Sequence, residues 1–209
     1  MEEKIEKLRK YKYLNQFVKK GQILMAGSSL MENFPINELQ QSLGVNQIIY
    51  NRGICGIVTT ELLEYMQECI FELEPSKIFI NIGTNDIAAP GYTITDLISN
   101  YRNILTRLKA ELPDCKVYVM AYYPVNTVAD FGITTEDKEN MFKTRNNKTI
   151  LKANEAVKEL AGQFNYEYIN VNEGLMDEKG NLKEKFAIEG LHMWPQAYAI
   201  ILDNLRKYL

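Results

Sequence analysis

A single histidine in 209 residues narrows the acid–base chemistry this chain can do. His192 stands in Glu189-Gly190-Leu191-His192, three residues after a carboxylate. That spacing lets Glu189 curl back to the imidazole Nδ1 and fix the tautomer that leaves Nε2 free to accept a proton. Such a base serves a nucleophile, and Gly27-Ser28-Ser29 offers two hydroxyls. Serines at a strand-to-helix turn have two readings. One is an N-cap, whose hydroxyl accepts from an orphan backbone N–H; the other is a nucleophile beside backbone N–H groups that can stabilise an oxyanion. The Ser29 N–H, the Gly53 N–H and the Asn85 carboxamide are candidate oxyanion donors. Taken singly, each is equally an ordinary helix start or turn residue.

The elements that must position these groups are legible as an alternation. Residues 2–20 read as an amphipathic helix carrying Ile5, Leu8, Leu14, Phe17 and Val18. Five short apolar runs read as strands: 22–26, 47–51, 77–81, 116–120 and 166–171. Unbroken apolar runs suit strands covered on both faces. Between them lie a short helix capped by Asn37, a helix from Thr59 or Thr60 to Leu73, one from about Thr95 to Leu112, and one closing at Gly162. Pro195 opens a last helix through Tyr208. The stretch 122–136 has no clear periodicity, and loops of that length in compact domains are often functional. Alternation throughout predicts a single domain over 1–209: one parallel sheet with helices on both faces. In such sheets ligands bind beyond the carboxyl ends of the strands, where Ser28, Ser29, Arg52, Gly53, Asn85, Asp86, Tyr122, Tyr123 and the 189–192 loop all fall.

Composition excludes other classes. Net charge is −3 with no basic cluster, which argues against a phosphate backbone as partner. Cys55, Cys69 and Cys115 are scattered and form no metal-type pair, and with one histidine they give no zinc site. The charged opening Met1-Glu2-Glu3-Lys4 is not a signal peptide, and no run is long enough to span a bilayer. The expectation is a cytoplasmic protein with reduced thiols.

Four blocks, in order, resemble the SGNH hydrolases, the GDSL-type lipases and esterases: Gly27-Ser28-Ser29-Leu30, Asn51-Arg52-Gly53, Gly83-Thr84-Asn85-Asp86 and Glu189-Gly190-Leu191-His192. The resemblance implies a flavodoxin-like α/β/α sandwich around a five-stranded parallel sheet. It implies Ser29 as nucleophile, His192 as base, and an oxyanion hole of Ser29 N–H, Gly53 N–H and the Asn85 side chain. Two positions depart from the family pattern: Ser28 stands where Asp usually precedes the nucleophile, and Glu189 where Asp usually precedes the histidine. Glutamate serves as third triad member on other folds.

The implied activity is hydrolysis of small-molecule carboxylic esters through an acyl-enzyme, without metal or cofactor. The absence of a long apolar lid helix favours short acyl groups, such as acetyl on a sugar or another small polar molecule. Lysophospholipase and thioesterase activities are alternatives within the family. A non-catalytic flavodoxin-like domain holding FMN phosphate at the first loop is the alternative outside it. Tyr122, Tyr123 and Trp194, with Phe131 and Met193, are candidate pocket walls.

Overall fold

The computed structural model describes residues 2–209, so Met1 of the charged opening lies outside the described residues. Strands β1 (Ile23–Gly27), β2 (Ile49–Gly53), β3 (Lys77–Asn81), β4 (Lys116–Met120) and β5 (Glu167–Ile169) form one parallel sheet in the order β2-β1-β3-β4-β5. This is the flavodoxin-like order, which places β1 and β3 at the point where the winding reverses. The helices are α1 (Glu2–Leu14), α2 (Ser29–Glu32), α3 (Ile36–Ser42), α4 (Thr59–Glu64), α5 (Met66–Cys69), α6 (Thr84–Ala88), α7 (Ile94–Glu111), α8 (Thr135–Phe142), α9 (Asn147–Gln163) and α10 (Pro195–Leu205). Right-handed crossovers divide them between the two faces. Helices α4, α7 and α9 pack side by side on one face, and α3 meets α10 on the other.

All five residues of β1 are buried, as are four of five in both β3 and β4. Water is therefore excluded from the strands that carry the site, and each apolar side chain fully buried there contributes roughly 1.5–3 kcal/mol. The register sets Gly27 of β1 beside Gly53 of β2 and Asn81 of β3. Three chain segments thus leave the sheet at one level and on one rim.

Several boundaries differ from the sequence expectation. The second strand runs to Gly53, because Asn51, Arg52 and Gly53 pair with Met25, Ala26 and Gly27 of the central strand. The helix expected after Thr59 is broken into α4, α5 and a 3-10 turn at Phe71–Leu73. It starts after Val58, whose N–H is capped by Glu61 Oε2 at 3.0 Å. Helix α3 begins after Pro35, two residues earlier than an Asn37 cap would give. The aperiodic stretch ends in α8, which Thr134 caps by accepting from Asp137 N–H.

Candidate active site

The turn after β1 is built by close backbone approach. A Cβ on Gly27 would lie 2.2 Å from the Asn81 carbonyl oxygen, so only glycine lets β1 and β3 run together here. Ser28 follows in extended conformation at the N-cap position of α2, but makes no capping hydrogen bond and is buried. The capping reading therefore fails for both serines, because the Ser29 hydroxyl faces elsewhere. Ser29 Oγ lies 2.9 Å from His192 Nε2. As the first residue of α2, Ser29 also carries an N–H with no intrahelical acceptor.

His192 reaches that position on a tight loop. Ile188 N–H donates to the His192 carbonyl at 2.8 Å, and Ala187 bridges Met193. Gly190 sits at φ +97, where a Cβ would lie 2.3 Å from the Asn126 carbonyl oxygen. Asn126 N–H in turn donates to the Gly190 carbonyl at 2.7 Å. Inside the loop, Glu189 Oε1 accepts from the His192 N–H at 3.2 Å and pairs with the imidazole Nδ1. Burial pushes the Glu189 carboxyl up, but its hydrogen bonds and charge interaction with His192 outweigh that and hold it below the ordinary range. A hydroxyl, an imidazole and a carboxylate thus form one relay, able to take the hydroxyl proton onto Nε2 and to support the resulting cation.

Asn85 lies at the start of α6, beyond β3. Its Nδ2 donates to the Ile57 carbonyl at 2.9 Å, and Asp86 accepts from Thr59 N–H at 3.1 Å and from the Thr59 hydroxyl. These three bonds tie the β3 rim to the loop after β2. One Nδ2 hydrogen of Asn85 remains after the Ile57 bond. Gly53 packs its α-carbon against α2, where a Cβ would lie 2.2 Å from the Glu32 backbone nitrogen. Its N–H donates to Asn51 Oδ1 at 2.9 Å, a bond that an oxyanion would have to share. The Gly53 carbonyl accepts from the buried Tyr11 hydroxyl of α1.

Two of the candidate pocket walls are corrected. Tyr122 and Tyr123 are 1% and 2% exposed, because the chain stays inside the core for several residues past β4. The Tyr122 hydroxyl donates to the Ile82 carbonyl at 2.9 Å, beneath Gly83, so it props the turn that carries Asn85. Met193 is buried and Phe131 half-buried, whereas Trp194 is half-exposed two residues from His192. A groove of about 760 Å³ lies along the free edge of β2 between Lys7, Phe34 and Arg52 and does not include Ser29, Asn85 or His192. Among the described residues, no helix is long and apolar enough to cross a membrane, and no three His, Cys, Asp or Glu side chains are grouped to hold a metal.

Two side chains join the site without a sequence signal. Asn126 was one polar residue in an aperiodic stretch. Arg145 was one cation before a helix, yet it is buried and donates from Nη1 to Asn85 Oδ1 at 3.4 Å. Burial lowers the Arg145 guanidinium to about 10, against the attraction of Glu189.

The sequence profile of the GDSL-like Lipase/Acylhydrolase family matches residues 27–200. The chain belongs to this family. A structure described as "a putative platelet activating factor from Streptococcus pneumonia" is 30% identical, with a TM-score of 0.86, over 99% of this chain and 92% of that one. The same fold, at 15% identity and TM-score 0.65, occurs in a catalytic serine-to-alanine mutant of an acetylxylan esterase from Geobacillus stearothermophilus, covering 91% of this chain and 95% of that one. An N-acylneuraminate cytidylyltransferase from Escherichia coli O18:K1:H7 (strain RS218 / NMEC) is 24% identical over 194 residues. That match spans 92% of this chain but only 41% of the length of the relative.

Proposed function

We propose that this GDSL-family member is a serine esterase that hydrolyses carboxylic esters through an acyl-enzyme on Ser29. One observation carries the reading: Ser29 Oγ meets His192 Nε2 at 2.9 Å while Glu189 holds Nδ1. In the reaction, Ser29 Oγ attacks the ester carbonyl carbon as its proton passes to His192 Nε2. Glu189 supports the imidazolium, and the carbonyl oxygen becomes an oxyanion held by the Ser29 N–H and the free Nδ2 hydrogen of Asn85. Gly53 N–H contributes to the extent that it shares its bond with Asn51. Collapse breaks the C–O bond, and His192 returns the proton to the leaving alkoxide. Water then repeats the cycle, releasing the acid and restoring the serine. A resident phosphate ligand at the first loop would leave this relay without a purpose.

Short acyl groups on a polar or carbohydrate alcohol are the proposed substrates. The acetylxylan esterase sharing the fold and the relative named for a sugar acid support a sugar alcohol moiety. The test is a series of model esters from acetyl to long acyl chains, run beside acetylated sugars. Turnover highest with acetyl supports the assignment; a rise with chain length redirects it to a lipid or thioester substrate.

A further inference from the structure

A carboxamide can serve an oxyanion only if its NH₂, and not its oxygen, faces the substrate. Two neighbours decide how the Asn85 amide is turned. The Ile57 carbonyl accepts from Nδ2 at 2.9 Å, and Oδ1 faces the Arg145 guanidinium at 3.4 Å. Turned over, the amide would set oxygen against carbonyl oxygen and NH₂ against guanidinium, two repulsive pairs in place of two attractive ones. Ile57 opposes the flip from one side and Arg145 from the other.

Arg145 is costly to keep where it is. It is 6% exposed, and its Nε has no partner among the described residues. Nor does any carboxylate among them form a salt bridge with it, although it feels the charge of Glu189. An incompletely paired buried cation opposes folding. A leucine or methionine would fill the same space between α8 and α9 without that cost. The side chain is therefore placed for the site and not for the core.

We propose that Arg145 is a positioning residue for the oxyanion hole: it holds the Asn85 carboxamide with its free Nδ2 hydrogen toward the substrate oxygen and adds positive potential behind it. At 3.4 Å the contact is long for a hydrogen bond. As charge develops on the substrate oxygen, the Asn85 amide polarises and Oδ1 becomes a better acceptor, so the contact tightens in the transition state. The benefit accordingly falls on kcat and not on KM. This rests on the reading of Asn85 as an oxyanion donor, and the experiment separates the two.

The test is a double-mutant cycle of Asn85→Ala with Arg145→Met, measured as kcat and KM on one model ester. Arg145→Met in the wild-type background should lower kcat on the order of tenfold, less than the ~10²- to 10³-fold for deleting an oxyanion donor itself. KM should stay within about twofold, and in the Asn85→Ala background the same change should cost less than about threefold, the non-additivity expected of residues acting as a unit. Arg145→Lys, which keeps the charge, should recover part of kcat. Should the methionine variant fail to fold, Arg145→Gln takes its place in the cycle. Equal losses in both backgrounds, or a loss confined to KM, overturn the proposal. An unchanged kcat in Asn85→Ala overturns the oxyanion reading itself and leaves Arg145 nothing to position.

Discussion

The two sides of the Ser29–His192 hydrogen bond are held by different physics. On the serine side, position comes from the sheet: β1 is buried from end to end, and Gly27 and Gly53 let backbones pass where no side chain fits. On the histidine side there is almost no regular structure, and side-chain amides do the holding. Asn126 donates to the Leu182 carbonyl at 2.8 Å and accepts from the Val128 and Ala129 N–H groups. Asn147 clasps the backbone of Val125, accepting from its N–H at 2.8 Å and donating to its carbonyl at 2.9 Å. The lesson is a division of labour. The nucleophile is fixed by burial, ladder register and two glycines, and leans on no single polar side chain. The base is fixed by a few polar bonds, each of which a single substitution can remove.

The comparison can be broken first at the serine. Ser29→Ala should abolish turnover by up to ~10⁶-fold, as for a lost triad nucleophile, while the melting temperature stays close to that of the parent. Ser28→Ala, at a sealed position without a capping bond, should cost far less. An assay in which Ser28→Ala is the dead variant reverses the assignment.

On the histidine side, Glu189→Gln keeps the shape but can present an NH₂ to Nδ1, favouring the wrong tautomer. A loss of about 10⁴-fold is expected, by analogy with the same change in a protease triad. Glu189→Asp should stay within roughly tenfold, about 1.4 kcal/mol of barrier. If Gln equals wild type while His192→Ala is inactive, Glu189 is a bystander. The same carboxyl makes a pH statement. Because its folded-state value lies below the ordinary 4.5, its contribution to stability is present above that pH and lost as pH falls through the lowered value. Acid melts of Glu189→Gln should therefore lack part of the parent's decline below that range.

Asn85→Ala should reduce kcat by ~10²- to 10³-fold with little change in KM. The smallest effect on chemistry, and the most telling about the comparison, belongs to Asn126→Ala. It strands the buried Leu182 carbonyl, at about 1–3 kcal/mol, and unties the Val128 and Ala129 N–H groups nearer the surface. Melting temperature and turnover should fall together, yet the serine turn should be undisturbed. Hydrogen exchange checks this: faster exchange confined to residues 125–130 and 187–193 fits, whereas equal loosening of 24–31 would erase the distinction between the two sides.

How much of this was readable beforehand follows the same division. The five strands, their order of appearance and the rim they share were legible, because a buried parallel strand shows as an unbroken apolar run. The family blocks placed Ser29, Asn85 and the Glu189–His192 pair in three separate loops, and the fold brings Ser29, His192 and Glu189 into contact. Other features left no local trace. An aromatic pair beyond a strand end looks the same whether the chain emerges into a pocket or, as at Tyr122 and Tyr123, continues through the core. The hydrophobic face shared by residues 62–73 concealed the breaks between α4, α5 and the 3-10 turn, since periodicity survives a small change of axis. Gly53 stood out as a candidate oxyanion donor or a turn, but its close approach to α2 and the competing Asn51 carboxamide two residues earlier left no signal in the sequence. Arg145, 60 residues from Asn85 in the chain, becomes part of the site only through tertiary packing.

The central claim is that the Ser29 hydroxyl is the activated nucleophile, and covalent labelling tests it most directly. The purified chain is treated with an organophosphonate, digested, and the adduct located by mass spectrometry. The account predicts one adduct, on Ser29, formed at a rate that collapses in His192→Ala and vanishes in Ser29→Ala. An adduct on Ser28, or labelling that survives the loss of Ser29, would contradict it.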